Sequence, residues 1–275
     1  MDFYKGSIPI FDPDDPAHAE FLDPKDQCKG YTPRDYDLHP EGMFAQPDQM
    51  QVIPQSEWDA RYDEQEAQKS SLEHLFLGPD GNTPAFENLD QDGVGYCWAH
   101  STAHSVMLDR LRRGMPTVRL SAFAVACKIK NFQDEGGWCG LSAKFVRDTG
   151  IPSTDFWPEK AMGRAFDNPK TWDNAATHKI EADWVDLTKQ VYDQNESDLQ
   201  SATALFNNLP SPHDFNWWSH SVCAVRQVRI EKGSWGKLIL NSWKGWGRFG
   251  LGVLRGSKAV PNGALSTRLT TFSGS

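Results

Sequence analysis

Apolar residues recur at helical spacing in the middle of the chain. The run over residues 101–111 carries apolar side chains on one side, and a Gly-Met-Pro turn at residues 114–116 stops it. A second and more buried helix is expected over residues 120–130, and a third over residues 142–149. A region rich in loops then opens with Phe-Trp-Pro at residues 156–158.

Short apolar runs of strand length follow from residue 180 onward. They are Trp184-Val185-Asp186-Leu187, Val222-Cys223-Ala224-Val225, Lys237-Leu238-Ile239-Leu240 and Gly250-Leu251-Gly252-Val253-Leu254. Helices that precede strands along one chain indicate an α+β fold. We therefore expect a helical half and a β-sheet half, with a cleft where the two halves meet.

One more helix is predicted upstream, over residues 55–76. Pro54 precedes it, Ser56 can cap it, and the Gly-Pro-Asp-Gly turn at residues 78–81 ends it. Its apolar stripe is broken and consists of Trp58, Tyr62, Leu72, Leu75 and Phe76.

Residues 1–54 contain eight of the 17 prolines of the chain. At that spacing neither a long helix nor a central strand is expected, and the composition by itself favours disorder. A stretch with so little core of its own becomes ordered only against another surface. We therefore predict an extended N-terminal arm over residues 1–54, a helix and linker over 55–85, and a folded domain over 86–275.

Charge is distributed unevenly along the chain. The net charge is −9, but residues 1–90 hold 6 Lys and Arg against 20 Asp and Glu, so the remainder is basic. Either the acidic arm is a solvated segment that aids solubility, or it lies on the basic domain or on a basic partner. Nucleic-acid binding by the arm is not expected, because phosphate would repel it.

Two further features indicate in which cellular compartment the protein is expected. No run is apolar over the length of a membrane span, and the first residues, Met-Asp-Phe-Tyr-Lys, do not resemble a signal peptide. Five scattered cysteines favour free thiols and a reducing compartment, and no Cys/His spacing indicates a zinc site or another cofactor. We expect a cytoplasmic protein, or one incorporated in a particle assembled there, without membrane partners.

The candidate chemistry lies in the stretch over residues 91–101. A Gly-rich turn there leads to Cys97, and the first predicted helix of the middle region follows at once. A cysteine at a helix N-terminus has its thiolate favoured by the helix dipole and by free N–H groups. Since the thiolate is the useful nucleophile, Cys97 is a candidate catalytic residue.

These residues resemble the papain family of cysteine peptidases, whose local signature is Cys-Gly-Ser-Cys-Trp with an upstream glutamine. Gly95 and Cys97-Trp98 match that signature, and Gln91 stands six residues before Cys97. The downstream motifs are Ser219-His220-Ser221-Val222, Leu240-Asn241-Ser242-Trp243 with Trp246-Gly247, and the glycine pair Gly136-Gly137 before Gly150-Ile151. The resemblance covers about residues 86–256, with four separated motifs in the order of the family.

The resemblance implies a two-lobed papain-like fold and a role for each matched residue. Cys97, His220 and Asn241 correspond to the catalytic triad, and Gln91 to the oxyanion-hole glutamine. The substrate-binding residues it implies are Gly136, Gly137 and Trp243. Glu57 and Arg61 fit the start of a family prosegment, but a Glu/Arg pair four residues apart is also ordinary helix chemistry.

The chain also departs from the family pattern. Val94 stands where the family has a disulfide cysteine, His100 replaces an aromatic residue, and the stretch between Pro210 and His220 is short. Packing explains His100 and His104 better than metal binding does, since no third ligand is apparent. Cys127, Cys139 and Cys223 are expected to be inert small hydrophobic residues. Core or interface packing explains Trp217 and Trp218 better than a substrate subsite does, and a simple turn is the alternative for Gly136-Gly137.

The sequence thus predicts a cysteine endopeptidase that hydrolyses polypeptides without a cofactor. The alternative from a different class is a structural or assembly protein, for example a component of a viral or other large particle. In that case the papain-like scaffold carries the arm of residues 1–54 as an element that docks on a protein assembly. An amidase or acyl-transfer activity on the same triad is a third possibility.

Overall fold

The computed structural model describes residues 1–35, 37–39, 51–180, 184–185, 194–256, 260–261 and 264–265. Within these ranges the helices are α1 (Ala19–Leu22), α2 (Trp58–Gln68), α3 (Leu72–Leu77), α4 (Cys97–Arg112), α5 (Ala122–Ile129), α6 (Cys139–Asp148), α7 (Pro169–Ala175) and α8 (Gln194–Phe206). The strands are β1 (Asp2–Tyr4), β2 (Ile8–Phe11), β3 (Trp184–Val185), β4 (Ser211–Phe215), β5 (His220–Glu231), β6 (Ser234–Leu240), β7 (Leu251–Arg255), β8 (Val260–Pro261) and β9 (Ala264–Leu265).

Seven of the strands form one sheet, in the order β1-β2-β7-β6-β5-β4-β8. All neighbours in it are antiparallel except β2 and β7, which are parallel. β3 and β9 form a separate antiparallel pair. The fold is α+β, as the order of elements in the sequence predicts.

The N-terminal residues contribute two strands to this sheet, and the expectation that residues 1–54 contain no central strand is wrong. β2 lies between β1 and β7 although it contains Pro9, which pairs with Phe3 of β1. The ladder with β7 starts one residue later, with Ile10 and Phe11. Pro9 is therefore not paired with β7, and its missing N–H costs no hydrogen bond to that strand. Residues 36 and 40–50 of the predicted arm lie outside the described residues.

The predicted helix over residues 55–76 is in fact two helices. A short 3-10 turn leads into α2, which ends because Lys69 adopts a left-handed conformation. The Ser71 hydroxyl then accepts a hydrogen bond from the backbone N–H of His74 and caps α3. The broken apolar stripe in the sequence corresponds to this interruption.

Several elements in the second half were not predicted, among them α7, α8 and β4. α8 carries Leu199, Ala202 and Phe206 at helical spacing toward the interior, a signal present in the sequence but diluted by polar neighbours. β4 consists largely of polar residues, yet all five of its residues are buried between β5 and β8. Of the predicted strand over 184–187, β3 covers the first two residues, and residues 186 and 187 lie outside the described residues.

The hydrophobic core lies between the helices and the sheet, with α4 at its centre. α4 is buried from Cys97 to Asp109 and packs against β4 and β5 as well as α3, α5 and α6. No helix among the described residues is both long and apolar enough to cross a membrane. The sheet and α4 together place the N-terminus of α4 beside the start of β5.

Candidate active site

Cys97 is the first residue of α4, as the sequence predicts. The turn before it is held by Asp134, whose Oδ1 accepts a hydrogen bond from the Gly95 N–H at 2.7 Å. The Trp98 indole N–H donates to the Gly95 carbonyl at 3.1 Å, and Trp98 is fully buried. The thiol is thus carried by a helix whose first turn is packed on every side.

His220 and Asn241 come from the sheet, one at the start of β5 and the other directly after β6. The His220 Nε2–H donates to the Asn241 Oδ1 at 2.9 Å, which leaves the buried Nδ1 without a hydrogen-bond partner among the described residues. The Trp243 ring stacks on the imidazole, with centroids 4.2 Å apart and an interplanar angle of 26°. Ser221, which follows His220, lies close enough to the Cys97 thiol to lower its pKa, so the two halves meet at these residues.

Gln91 links the turn before α4 to the loop after β6. Its backbone N–H donates to the Ser242 carbonyl at 2.9 Å, and its Oε1 accepts from the Ser242 hydroxyl at 2.7 Å. Its amide Nε2 donates to two carbonyls, those of Val94 at 2.7 Å and Cys28 at 2.8 Å. The Gln91 amide therefore points at a main-chain carbonyl that belongs to the N-terminal arm.

That carbonyl belongs to a stretch of the arm, residues 28–32, which occupies the cleft and is called here the cleft segment. Its Gly30 carbonyl accepts from the Gly137 N–H at 2.9 Å, and its Thr32 N–H donates to the Gly137 carbonyl at 2.9 Å. On the other wall the Tyr31 N–H donates to the Ser219 carbonyl at 3.1 Å. The cleft segment is held by main-chain hydrogen bonds along both walls.

Glycines allow the cleft segment to lie this deep. A Cβ on Gly30 would lie 1.9 Å from the Gly95 carbonyl oxygen, so no side chain fits there. A Cβ on Gly136 would lie 2.7 Å from the Gly30 carbonyl oxygen, and one on Gly137 would lie 2.7 Å from the Trp98 ring. The glycine pair predicted to approach a substrate main chain thus contacts a segment of the protein itself.

Covering the cleft reverses the expected ionisation of the thiol. The pKa of Cys97 is raised to about 12, chiefly by burial and also by the nearby Asp214 carboxylate, against the lowering effect of Ser221 and Gly30. Burial lowers the pKa of His220 to about 3, despite the hydrogen bond to Asn241. The prediction of a thiolate at Cys97 is therefore wrong for this closed arrangement, because removal from water outweighs the helix dipole.

A cluster of polar side chains beside Cys97 was not predicted. The Cys139 thiol donates to Asp214 Oδ1 at 3.2 Å, and the Ser221 hydroxyl donates to the same oxygen. All three side chains are buried. No local pattern marks them, since they come from α6, β4 and β5 and meet only in the folded chain.

Three tryptophans beside the cleft bind the main chain of the arm. The indole N–H groups of Trp218, Trp243 and Trp246 donate to carbonyls of the arm, which are those of Leu22, Cys28 and Phe21 respectively. Trp218 is buried and contacts the His220 ring edge-on, whereas its neighbour Trp217 is 41% exposed. Trp218 thus belongs to the packing around His220, and Trp217 covers its outer face.

His100 and His104 are packed inside the helical half. The His100 Nδ1 lies 2.8 Å from the Tyr96 carbonyl oxygen, and burial lowers the pKa of His100 to about 4 and that of His104 to about 3. Within the described part of the chain, no group of three or more His, Cys, Asp or Glu side chains is placed to hold a metal ion. All five cysteines are free thiols.

Comparison with solved structures shows the fold. Xylellain, a cysteine protease from Xylella fastidiosa, superposes with a TM-score of 0.58 at 15% identity, covering 89% of this chain and 98% of that one. A recombinant stem bromelain precursor gives 0.51 at 15% identity, covering 87% and 84%. Digestive procathepsin L 3 from the larval midgut of Tenebrio molitor gives 0.50 at 21% identity, covering 64% and 66%.

The chain therefore has the papain-like fold of these cysteine proteases. No protein-family model matches the sequence, and no curated protein sequence is significantly similar to it.

Proposed function

We propose that the protein is a cysteine peptidase held in a closed state by its own cleft segment. The observation that carries this proposal is the main chain of residues 28–32, which lies beside Cys97 and is hydrogen-bonded to both walls of the cleft. Gln91 and Gly137 both hydrogen-bond to that main chain. A cleft that binds a main chain through backbone groups is suited to a polypeptide substrate, whatever its side chains.

In the proposed reaction the Cys97 sulfur attacks the carbonyl carbon of the scissile peptide bond. The unpartnered Nδ1 of His220 accepts the thiol proton and then transfers it to the leaving amine, while Asn241 holds the ring. Water, deprotonated by the same nitrogen, then hydrolyses the Cys97 thioester, which releases the carboxylic acid and restores the thiol. The Gln91 amide and the Cys97 N–H donate to the oxyanion, and each stabilises the transition state by about 2.7–4 kcal/mol. Trp243, stacked on the imidazole, limits access of water to this pair.

The cleft segment explains how such a site would remain inactive in the closed state. The Cys28 carbonyl accepts from the Gln91 amide that would otherwise serve an oxyanion, and residues 29–32 take the place of a substrate main chain. The cleft segment also buries the Cys97 thiol and thereby keeps it neutral. Activity then requires the cleft segment to leave, after which the sulfur regains access to water.

Gly30→Ala tests the proposal directly. Its Cβ would collide with the Gly95 carbonyl, so the cleft segment cannot stay in place. We expect this variant to hydrolyse a broad library of quenched fluorogenic peptides at least about a hundredfold faster than the unmodified chain. The matched control is Gly163→Ala, where an exposed glycine has open space around its Cβ position and an ordinary backbone conformation.

One competing function is favoured by the buried, neutral thiol: a structural or assembly protein whose cleft is permanently filled. If the protein has this structural function, Gly30→Ala should hydrolyse no peptide, even though Cys97 becomes accessible to alkylation. In the peptidase, by contrast, adding Cys97→Ala to Gly30→Ala abolishes the turnover that Gly30→Ala gained. Circular dichroism of each variant separates loss of activity from unfolding.

A further inference from the structure

A cavity of about 490 Å³ lies next to the cleft, between the N-terminal residues and the loop after β6. Apolar side chains dominate its lining, among them Met1, Phe3, Phe11, Phe21, Trp243 and Trp246. Its charged lining residues are Glu20, Asp26 and Lys244. Its size and lining are those of a binding pocket for a small apolar group.

The cavity adjoins the candidate active site through Trp243. Trp243 lines it and also stacks on the His220 imidazole. Gln27 lines it as well, and the next residue along the chain is Cys28, whose carbonyl accepts from Gln91. A main chain that follows the cleft segment therefore passes from the Gln91 amide to the mouth of the cavity within one residue.

One wall of the cavity does not involve the cleft segment, whereas Trp243 donates to the Cys28 carbonyl and Gln27 directly precedes that residue. Phe11 belongs to β2, which is paired with both β1 and β7, and its ring stacks on Trp246 with centroids 4.6 Å apart. The Trp246 indole N–H donates to the Phe21 carbonyl at 3.2 Å. Displacing residues 28–32 leaves these contacts intact.

The exposed side chains in the cavity indicate what would fill it. Met1, Phe3 and Phe21 all line it while remaining about half exposed, at 49%, 55% and 47%. Exposed apolar side chains gathered at one place are typical of a binding surface rather than of a solvated one. An apolar group entering the cavity would cover all three.

We propose that this cavity is a side-chain pocket for the peptide substrate, built in part by the N-terminal strands and selective for a large aliphatic or aromatic residue. The selected residue lies within one or two positions of the scissile bond, on the side where Trp243 stands. The pocket rests on the proposed peptidase function. It makes residues 1–22 a lasting part of the substrate-binding surface, distinct from the segment that covers the cleft.

The test uses Gly30→Ala, in which the cleft is open, and quenched peptides that vary one position at a time on each side of the scissile bond. We expect kcat/KM for Phe or Leu to exceed that for Ala by about tenfold at one position on the Trp243 side. Phe21→Ser, or Phe3→Ser if that variant unfolds, should reduce this preference to about twofold. The matched control is Phe156→Ser, since Phe156 is similarly exposed but lies outside the cavity.

If the preference for Phe or Leu over Ala stays unchanged in both serine variants, the proposed pocket is refuted, while the peptidase proposal remains intact. If Gly30→Ala cleaves no peptide at all, the peptidase proposal fails, and binding of the same peptides to Gly30→Ala/Cys97→Ala decides the pocket alone. Tryptophan fluorescence should then report about tenfold tighter binding of Phe peptides than of Ala peptides, lost in Phe21→Ser. Equal binding of both peptide sets would refute the pocket.

Discussion

Two parts of the N-terminal arm are attached to the rest of the molecule in different ways. The first, residues 1–11, is called here the N-terminal hairpin, and it buries Tyr4, Ile8, Ile10 and Phe11 within the sheet and core. The second, the cleft segment, is held mainly by main-chain hydrogen bonds and places a glycine at its deepest point. The hairpin is joined to the fold by buried side chains as well as by the pairing of β2 with β7, whereas the cleft segment is joined mainly by its backbone.

Buried charge adds to the attachment of the hairpin. Arg226 on β5 is fully buried, and its guanidinium donates to Glu73 of α3 at 2.7 Å. The Tyr4 hydroxyl donates to the same carboxylate at 3.1 Å, and the Lys5 ammonium does so at 3.2 Å. Removing the hairpin would leave part of this buried network without partners, which is costly.

This difference indicates which part of the arm can dissociate from the rest of the protein. Main-chain hydrogen bonds in a cleft can be exchanged for those of a substrate or of water at a net cost of about 0.5–1.5 kcal/mol each. Buried aromatic and aliphatic side chains have no such replacement in water. The arm therefore combines a permanent strand pair with an exchangeable segment, and the predictions that follow are designed to separate the two.

The largest effect is expected in the hairpin, from Phe11→Ala. Phe11 is 2% exposed and stacks on Trp246, so its loss should lower the free energy of unfolding by about 3–5 kcal/mol. Phe3→Ala, on the exposed face of the neighbouring strand, should change it by less than about 0.5 kcal/mol. Urea unfolding followed by circular dichroism measures both, and equal effects would show that the hairpin is only loosely attached.

An intermediate effect is expected in the cleft segment, from Gly30→Ala. Because burial holds the pKa of Cys97 near 12, the thiolate fraction in the closed chain should keep rising with pH up to that value. Opening the cleft should lower this pKa to the ordinary cysteine range of about 8.5 or below, with alkylation at neutral pH at least about a hundredfold faster. Global stability should change by less than about 1 kcal/mol.

Mass-spectrometric mapping of iodoacetamide labelling across pH 6–10 checks this second prediction, with buried Cys223 as the internal control. Rapid labelling of Cys97 in the unmodified chain, with a plateau near pH 8, would contradict the closed arrangement. A large loss of global stability in Gly30→Ala would instead contradict the distinction between the two parts of the arm.

The smallest effect is expected from Lys29→Ala, also in the cleft segment. Lys29 pairs with Asp23 at 2.7 Å, but the Asp23 side chain is mostly exposed, so the pair should contribute less than about 1 kcal/mol. Labelling of Cys97 should therefore accelerate by fivefold or less, and 0.5 M salt should produce a similar change in the unmodified chain. A much larger acceleration would mean that charge, rather than the backbone, holds the segment in place.

The charge asymmetry of the sequence had a smaller structural role than the apolar residues of the arm. Asp12 pairs with Arg255 at 3.5 Å, which joins an acidic side chain of the arm to the basic domain. The closer arm contacts are made by Tyr4, Ile8, Ile10, Phe11 and Leu22 within the core clusters, and by the main chain. Docking of the arm on a separate protein assembly remains a proposal. Because Gly30→Ala is expected to release the cleft segment, comparing the assembly of this variant with that of the unmodified chain tests it.

The sequence by itself determined the local features of this protein. Helical spacing and a Gly-rich turn predicted that α4 begins near Cys97, and short apolar runs of strand length predicted β5, β6 and β7. These predictions succeed because each depends on residues close together in the chain. The same holds for the α+β class, which follows from the order of the elements.

Only the tertiary structure decided how distant parts combine. The parallel pairing of β2 with β7, the burial of Arg226 beside Glu73, and the seating of Gly30 against Gly95 each join residues far apart in sequence. The pKa of Cys97 belongs to the same group, because a segment more than sixty residues upstream removes the thiol from water. No local pattern encodes such contacts, since their free energy arises from burial that exists only once the whole chain has folded.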